Sequence, residues 1–413
     1  MTQELLREIM DYSHRADPYP LYEELRKTPV SHDGDGPYVV STFYEIQSLL
    51  HDPRVSSDHR NLTATPGDAR TVSEGADASL PPIFLRLDPP EHDRLRRMTN
   101  RSFGPPHSPH RVHDMHGELR GIVSELVDGI PAAGPLDRID LVDQFAYPFP
   151  VTVICRLLGV PPEDEPRFHV WADALAASLD PDPAEPAQQP PGTADAQTQL
   201  AIYLAELVEE RRRHPGPDML SQMATAEPPD DSMTTVEVIS TAALLLIAGH
   251  ETTVNLITNG MLTLLRHPDV LRRLREDSSL AASVVEELLR YEPPVQLLPR
   301  RSALDEIEMA GVRIPKGATI WLMLASGNRD PRRFEAPDRF DPDRPDIQHL
   351  GFGSGIHSCF GAPLARLEAQ LALSELARRL DGPHLLEDPP PYRQNAALRG
   401  PRHLYVGCDG IRT

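Results

Sequence analysis

A chain of 413 residues with a formal charge of −21, 39% hydrophobic and 25% charged residues has the make-up of a globular protein with a sizeable core. So acidic a balance works against nucleic acid or an anionic membrane surface as a main partner. Cys155, Cys359 and Cys408 make no disulfide framework and suit a reducing compartment, and the longest apolar stretch, 242–248, is far too short to cross a bilayer. The first 17 residues are charged and hold no apolar signal core, so the expectation is a cytoplasmic protein without a membrane anchor.

Pro18-Tyr19-Pro20, followed by Leu21, Tyr22 and Leu25, predicts a short helix, and Tyr38-Val39-Val40-Ser41 a strand. Residues 56–82 are rich in Ser, Thr, Asp, Gly and Pro without periodicity and read as a long loop. Asp88-Pro89-Pro90-Glu91 opens a helix, with Asp88 near the cap and the prolines in the first turn. His92 and Arg96 lie four apart and share a face of it; by themselves they more commonly describe a solvated basic face. Helical spacing continues through 112–129, 143–159, 163–179 and 194–214, the last two separated by a proline-rich break at 180–192. There is no internal repeat.

Residues 234–266 read as one long helix, spanning roughly 50 Å at 1.5 Å per residue. Thr234-Thr235-Val236-Glu237 offers a capping box and His267-Pro268 a stop. Its middle, Leu244-Leu245-Leu246-Ile247-Ala248-Gly249-His250-Glu251-Thr252-Thr253, is apolar nearly all round until a polar cluster interrupts it. Such local breaks of pattern are expected at functional sites. Thr252 can bond back to the Ala248 carbonyl and loosen the ladder beside Gly249, while Glu251 points about 100° away around the helix. The plainer reading is a self-satisfied threonine and a structural carboxylate.

Glu286-Glu287-Leu288-Leu289-Arg290 ends a further helix, with Glu287 and Arg290 on one face. Strands follow at 307–314 and 319–324, and strand alternation aims Arg300 and Arg301 oppositely. Last comes Phe352-Gly353-Ser354-Gly355-Ile356-His357-Ser358-Cys359-Phe360-Gly361, directly before a helix beginning near Ala362. The commonest fate of a lone cysteine is burial as a small hydrophobe. Here a helix N-terminus favours the thiolate, and glycines let the backbone approach a bulky planar ligand. That combination suits a redox-active iron better than a structural zinc, which would need three more ligands.

Phe-Gly-x-Gly-x-His-x-Cys-x-Gly over residues 352–361 resembles the haem-ligand loop of the cytochrome P450 family, the haem-thiolate monooxygenases. The likeness runs from residue 18 to the end of the chain. It implies a mainly α fold with a small β portion, in which a b-type haem lies between the long distal helix and the proximal cysteine loop. Cys359 is then the metal's thiolate ligand, with Phe352, Gly353 and Gly361 shaping the loop and Ala248 and Gly249 facing the haem from the distal helix. The His-x-x-x-Arg pair His92 and Arg96 is similar to the family's propionate clamp, joined by His357 and by Arg301, which the count back from the Ala310-Gly311 turn prefers over Arg300. Ala-Gly-x-Glu-Thr-Thr resembles the family's acid–alcohol pair, giving Glu251 and Thr252 a catalytic role in proton delivery. Leu244, Leu245, Ala248, Leu297 and Leu298 are candidates for the substrate wall, with core packing the default for each. Glu287 and Arg290 match a buried structural pair, with Arg339 as its third member.

The function so implied is insertion of one atom of O₂ into a small organic substrate, a natural product, by a monomer. Residues 1–413 form one haem domain, with 56–82 and 180–192 as substrate-access loops. With no fused flavin or iron–sulfur domain, electrons come from NAD(P)H through a ferredoxin reductase and a ferredoxin. Arg94, Arg97, Arg101 and Arg366 could make a basic patch for an acidic ferredoxin. The rivals are a peroxide-driven or non-hydroxylating haem-thiolate enzyme (isomerisation, epoxidation, or C–C or C–O coupling), a non-catalytic haem-binding sensor, and a colourless helical protein. Glu251-Thr252 argues against the peroxide-driven form, whose members typically lack that pair.

Overall fold

The computed structural model describes residues 2–61, 83–104, 108, 110–168, 170–171, 193–226 and 232–412. In chain order the main helices are α1 (Thr2–Met10), α2 (Tyr19–Arg26), α3 (Phe43–His51), α4 (Glu91–Arg101), α5 (His116–Ala133) and α6 (Pro148–Leu158). They continue as α7 (Thr193–Arg213), α8 (Met219–Ala224), α9 (Thr235–Arg266), α10 (Pro268–Glu276), α11 (Ala281–Tyr291) and α12 (Ala362–Arg379). The strands used below are β1 (Val30–Ser31), β2 (Tyr38–Val40), β3 (Val55–Ser56), β4 (Ile139–Asp140), β5 (Leu298–Ala303), β6 (Ile307–Met309), β7 (Val312–Ile314), β8 (Thr319–Leu322), β9 (Leu380–Asp381), β10 (His384–Leu385), β11 (Tyr405–Gly407) and β12 (Gly410–Ile411). The fold is mainly α with small sheets, as the likeness implied.

The described residues pack as two compact units, one drawn from 1–55, 116–149 and 252–413, the other from 56–115 and 150–251. In the first, a five-stranded sheet runs β1-β2-β8-β5-β3, with β2 parallel to β8 and β5 antiparallel to it. Successive strand residues face opposite sides, and the cores divide accordingly. Val40 and Leu322 join Phe43, Ile46, Leu49 and Phe334 on one side. Val39 and Met323 join Tyr19, Tyr22, Leu25 and Leu297 on the other. In the same unit α12 packs against α5, α10 and α11. The C-terminal half of α9 comes so close that a Cβ on Gly260 would meet Leu288 and Leu373 at 3.0 Å.

In the second unit α7 packs on α8, and α4 on the turn Phe84–Arg86. The capping box of α9 is formed: the Thr234 N–H donates to Glu237 Oε2 at 2.8 Å and the Glu237 N–H to Thr234 Oγ1 at 3.2 Å. Asp88 departs from expectation. Pro90 is the cap of α4, and the Asp88 carboxylate instead accepts from the Ser57 N–H at 2.9 Å and Asn61 Nδ2 at 3.2 Å, tying down residues 56–61. Only the Asp88 carbonyl serves α4, accepting the His92 N–H at 3.0 Å.

Two strand readings also change. Residues 307–314 are a hairpin, β6 and β7, turning at Ala310 and Gly311 with φ of 50° and 78°. β8 ends at Leu322, and Leu324 starts a helical turn, Leu324–Gly327. Of the helix expected over 163–179, residues 165–168, 170 and 171 are helical, and 172–179 lie outside the described residues. So do the expected access loop 180–192 and, beyond the turn His59–Asn61, the rest of 56–82.

Candidate functional site

Cys359 is exposed on the loop that feeds α12, two residues before Gly361, the cap of that helix. Its amide donates to the Phe352 carbonyl at 2.8 Å, and the Gly353 amide to the Leu350 carbonyl at 2.8 Å, so the loop is closed by its own backbone. Gly353 and Gly355 take φ of 67° and 69°, which only glycine adopts without strain. Gly361 differs, with an ordinary φ of −81°, and a Cβ on it would meet nothing within 4 Å. Its value beside the sulfur is therefore room and not backbone freedom.

The loop is gripped from two sides. A Cβ on Gly355 would come within 2.1 Å of the Leu50 carbonyl at the end of α3, and His51 of α3 bonds Ser354 Oγ at 2.7 Å. On the other side a Cβ on Gly351 would sit 2.5 Å from the Leu289 carbonyl of α11. Behind α11's end lies the expected structural pair, fully buried: Arg290 Nε and Nη2 donate to Glu287 at 2.7 Å each. The third member is corrected. The Arg339 guanidinium is exposed and pairs with Asp341, and only the Arg339 carbonyl enters the network, accepting Arg290 Nη2 at 3.0 Å. The cation that approaches Glu287 is Arg344, at 3.6 Å. Further Arg290 bonds run to the Asn328 and Pro337 carbonyls.

The long helix is uninterrupted through residues 244–258. Leu244 and Leu245 are buried, Ala248 is exposed, Gly249 and Thr252 are half-buried, and His250 and Glu251 are buried. Ala248 and Thr252, four apart, thus form one accessible stripe, with Glu251 turned away from it. A Cβ on Gly249 would make only an ordinary 3.5 Å contact with Ile154 of α6.

On α4, His92 is buried with Nδ1 bonded to Asp93 Oδ1 at 2.8 Å, and Arg96, one turn on, is half-buried. Arg300 and Arg301 differ in exposure, at a register shift in β5 that interrupts the regular alternation expected there. Arg300 is exposed with φ of 61°, and Arg301 is half-buried opposite Ile320 of β8. His357 is half-buried in the turn Gly355–His357. Of the expected substrate wall, Leu297 belongs to the core around Tyr19 and Tyr22, and Leu298 flanks the sheet core. Of the arginines expected in a basic patch, Arg94 pairs with Glu237 and Arg366 with Glu286.

Among the described residues the trio of converging metal-ligand side chains is Asp140, Asp143 and His403, and Cys359 is not in it. A zinc needs several such protein ligands, whereas a haem asks for one thiolate on an accessible loop with space beside it. A Cβ on Gly353 would find nothing nearer than the His357 carbonyl at 3.9 Å, and one on Gly361 nothing at all, so the loop fits the haem.

The comparisons with known proteins agree with this geometry. The family model described as "Cytochrome P450" matches residues 192–406. The cytochrome P450 monooxygenase PikC of Streptomyces venezuelae is 40% identical over 401 residues, 95% of this chain and 91% of PikC. The 6-deoxyerythronolide B hydroxylase of Saccharopolyspora erythraea is 36% identical over 409 residues, 96% of this chain and 98% of the relative. Among solved structures, ligand-free CYP164A2 of Mycobacterium smegmatis superimposes with a TM-score of 0.87 at 42% identity, covering 98% of this chain and 100% of that one. With more than half the chain under the family model and such relatives along nearly its whole length, the chain belongs to the cytochrome P450 family and is an oxidoreductase of the monooxygenase kind.

Proposed function

We propose that this chain, acting as one haem domain and a monomer, places one atom of O₂ into a small natural-product substrate. Electrons come from NAD(P)H through a ferredoxin reductase and a ferredoxin. The observation that carries the reading is the backbone-closed loop presenting Cys359 at the start of α12. A b-type haem bound there supplies one-electron and O₂ chemistry, which thiolate ligation biases toward O–O cleavage. The relative named for hydroxylating 6-deoxyerythronolide B supports hydroxylation as the outcome. No described helix is long and apolar enough to cross a membrane, which is in keeping with the proposed cytoplasmic setting.

The chain's own groups divide the remaining work. Cys359 binds the metal, with the α12 N-terminus favouring its anionic form. His92, Arg96, Arg301 and His357 take the two propionates, the arginines in the bidentate manner that suits carboxylates. Ala248 and Gly249 keep the stripe before Thr252 free of bulk. Glu251, buried and one position earlier than Thr252, holds a proton on the inner side, and the Thr252 hydroxyl passes it on at Oγ1. Leu244, Leu245 and Leu298 offer apolar surface to the substrate, Leu297 supports them from the core, and segments 56–82 and 180–192 serve substrate access.

Titrating a panel of natural products for the low- to high-spin Soret shift identifies ligands. Turnover of a hit with NADH, a ferredoxin and its reductase then gives a product one oxygen heavier. Equal turnover with hydrogen peroxide alone would replace this reading by the peroxide-driven one.

A further inference from the structure

The Cys359 loop has a charged flank whose parts all belong to the first unit. Glu286 on α11 accepts from Arg366 Nε at 2.5 Å and Nη2 at 3.0 Å, and from His349 Nε2 at 3.1 Å. The tautomer of His349 follows from its neighbour. The Gly351 N–H donates to His349 Nδ1 at 3.0 Å, so the ring proton sits on Nε2 and points to Glu286. His349 and Arg366 also bracket Phe352. The His349 ring lies 6.0 Å from the Phe352 ring, and the Arg366 guanidinium carbon 4.6 Å from its centroid. Phe352 in turn accepts the Cys359 amide at 2.8 Å. Four side chains thus form a chain of contacts ending at the residue that carries the sulfur.

Charge gives this arrangement a direction. Burial alone would raise the Glu286 carboxyl, yet the hydrogen bonds from His349 and Arg366 overcome it and hold the group at about 2. Glu286 is therefore ionised throughout the working pH range. Arg366 is held protonated first by its bond to Glu286, and its guanidinium lies against the ring of Phe352, whose carbonyl accepts the Cys359 amide. Half-buried charges in reach of one another are incompletely screened.

We infer that Glu286 and Arg366 are positioning residues for the Cys359 sulfur. Arg366 supplies the fixed cation beside the ligand loop, Glu286 aims and damps it, and the pair sets how readily the sulfur-ligated iron takes an electron. The inference rests on the haem-thiolate reading above. A cation near the site favours the reduced state and an anion the oxidised one. Removing either charge while keeping the shape must therefore move the reduction potential in opposite directions. A merely structural clamp would loosen the loop in both variants and shift both the same way.

The test is spectroelectrochemical titration of the haem-loaded wild type, Glu286→Gln, Arg366→Gln, the double variant and Arg366→Lys, each checked by its reduced-CO spectrum. Glu286→Gln leaves Arg366 undamped, and its reduction equilibrium should shift about tenfold toward the reduced form, +59 mV for one electron. Arg366→Gln leaves Glu286 unbalanced and should shift comparably toward the oxidised form. The double variant should return close to wild type, and Arg366→Lys should keep most of the wild-type value. Shifts of the same sign, or none, in the two single variants overturn the inference. A wild type without the red-shifted CO band of sulfur ligation overturns instead the reading on which it rests.

Discussion

The amide of Cys359 donates to the carbonyl of Phe352 at 2.8 Å, so main chain ties down the residue that carries the sulfur. Everything between those two residues must then satisfy the path of a tight loop, with Ser358 donating back to Gly355 at 3.1 Å. Two left-handed glycines and two flanking helix ends, those of α3 and α11, meet that requirement.

Gly355 and Gly361 should therefore respond differently to alanine. At Gly355 the φ of 69° and a Leu50 carbonyl 2.1 Å from the new Cβ leave no room. The backbone strain alone predicts a loss of about 1–3 kcal/mol in chemical denaturation. Gly361→Ala should change the stability of the haem-free protein by less than about 0.5 kcal/mol, yet lower its uptake of haem by narrowing the space beside the sulfur. Equal destabilisation by the two variants would contradict this account of the loop.

Arg290→Ala strips a fully buried guanidinium from Glu287 and from three carbonyls. Leaving a buried carboxylate without its partner costs roughly 3–5 kcal/mol. Arg339→Ala, whose side chain is 70% exposed, should cost under about 0.5 kcal/mol. Urea unfolding of both variants checks the contrast, and a large loss at Arg339 would restore its side chain to the network.

Thr252→Ala should leave haem content and substrate affinity intact while lowering the product formed per NADH oxidised, the missing equivalents emerging as hydrogen peroxide. Glu251→Gln should slow turnover without that gain in peroxide, because it removes the proton source and leaves the hydroxyl in place. Undiminished coupling in Thr252→Ala would remove Thr252 from proton delivery.

Two carboxyls, Glu286 half-buried and Glu368 buried, give opposite pH signatures. Glu286 is held at about 2 against an ordinary 4.5. Its contribution is therefore complete above pH 4.5 and is lost as pH falls from 4.5 toward 2. Glu368 on α12 is raised well above 4.5 by burial, and among the described residues nothing bonds its Oε2. There the unfolded chain ionises first, so stability falls as pH rises above 4.5. Acid titrations of unfolding should show Glu286→Gln flattening the low-pH limb. Glu368→Gln should reduce the loss between pH 4.5 and neutrality, where its folded form no longer has a buried proton to retain. Unchanged profiles in both variants would contradict these assignments.

The sequence was most legible where local chemistry and tertiary role coincide. The Thr234–Glu237 capping box and the His267-Pro268 stop bound α9 to within a residue, and alternating Val39 and Val40 mark a strand buried on both faces. α3 was there to be read as well, in Phe43, Ile46 and Leu49 at helical spacing after Thr42. What could not be read depends on partners distant in sequence. Asp88 is drawn from its cap by the Ser57 amide, and Arg339 enters the network of Arg290 and Glu287 by its carbonyl while Arg344 comes near Glu287. The grip of Glu286 on Arg366 joins residues 80 positions apart, beyond the reach of any local pattern.

The reduced-CO spectrum of Cys359→Ser, measured beside the wild type at equal haem content, bears most directly on sulfur ligation. The wild type should give the red-shifted Soret band of a thiolate-bound iron, and the serine variant should lose it while retaining haem. Retention of that band by Cys359→Ser would mean that another group holds the iron, and the assignment of the site to this loop would be wrong.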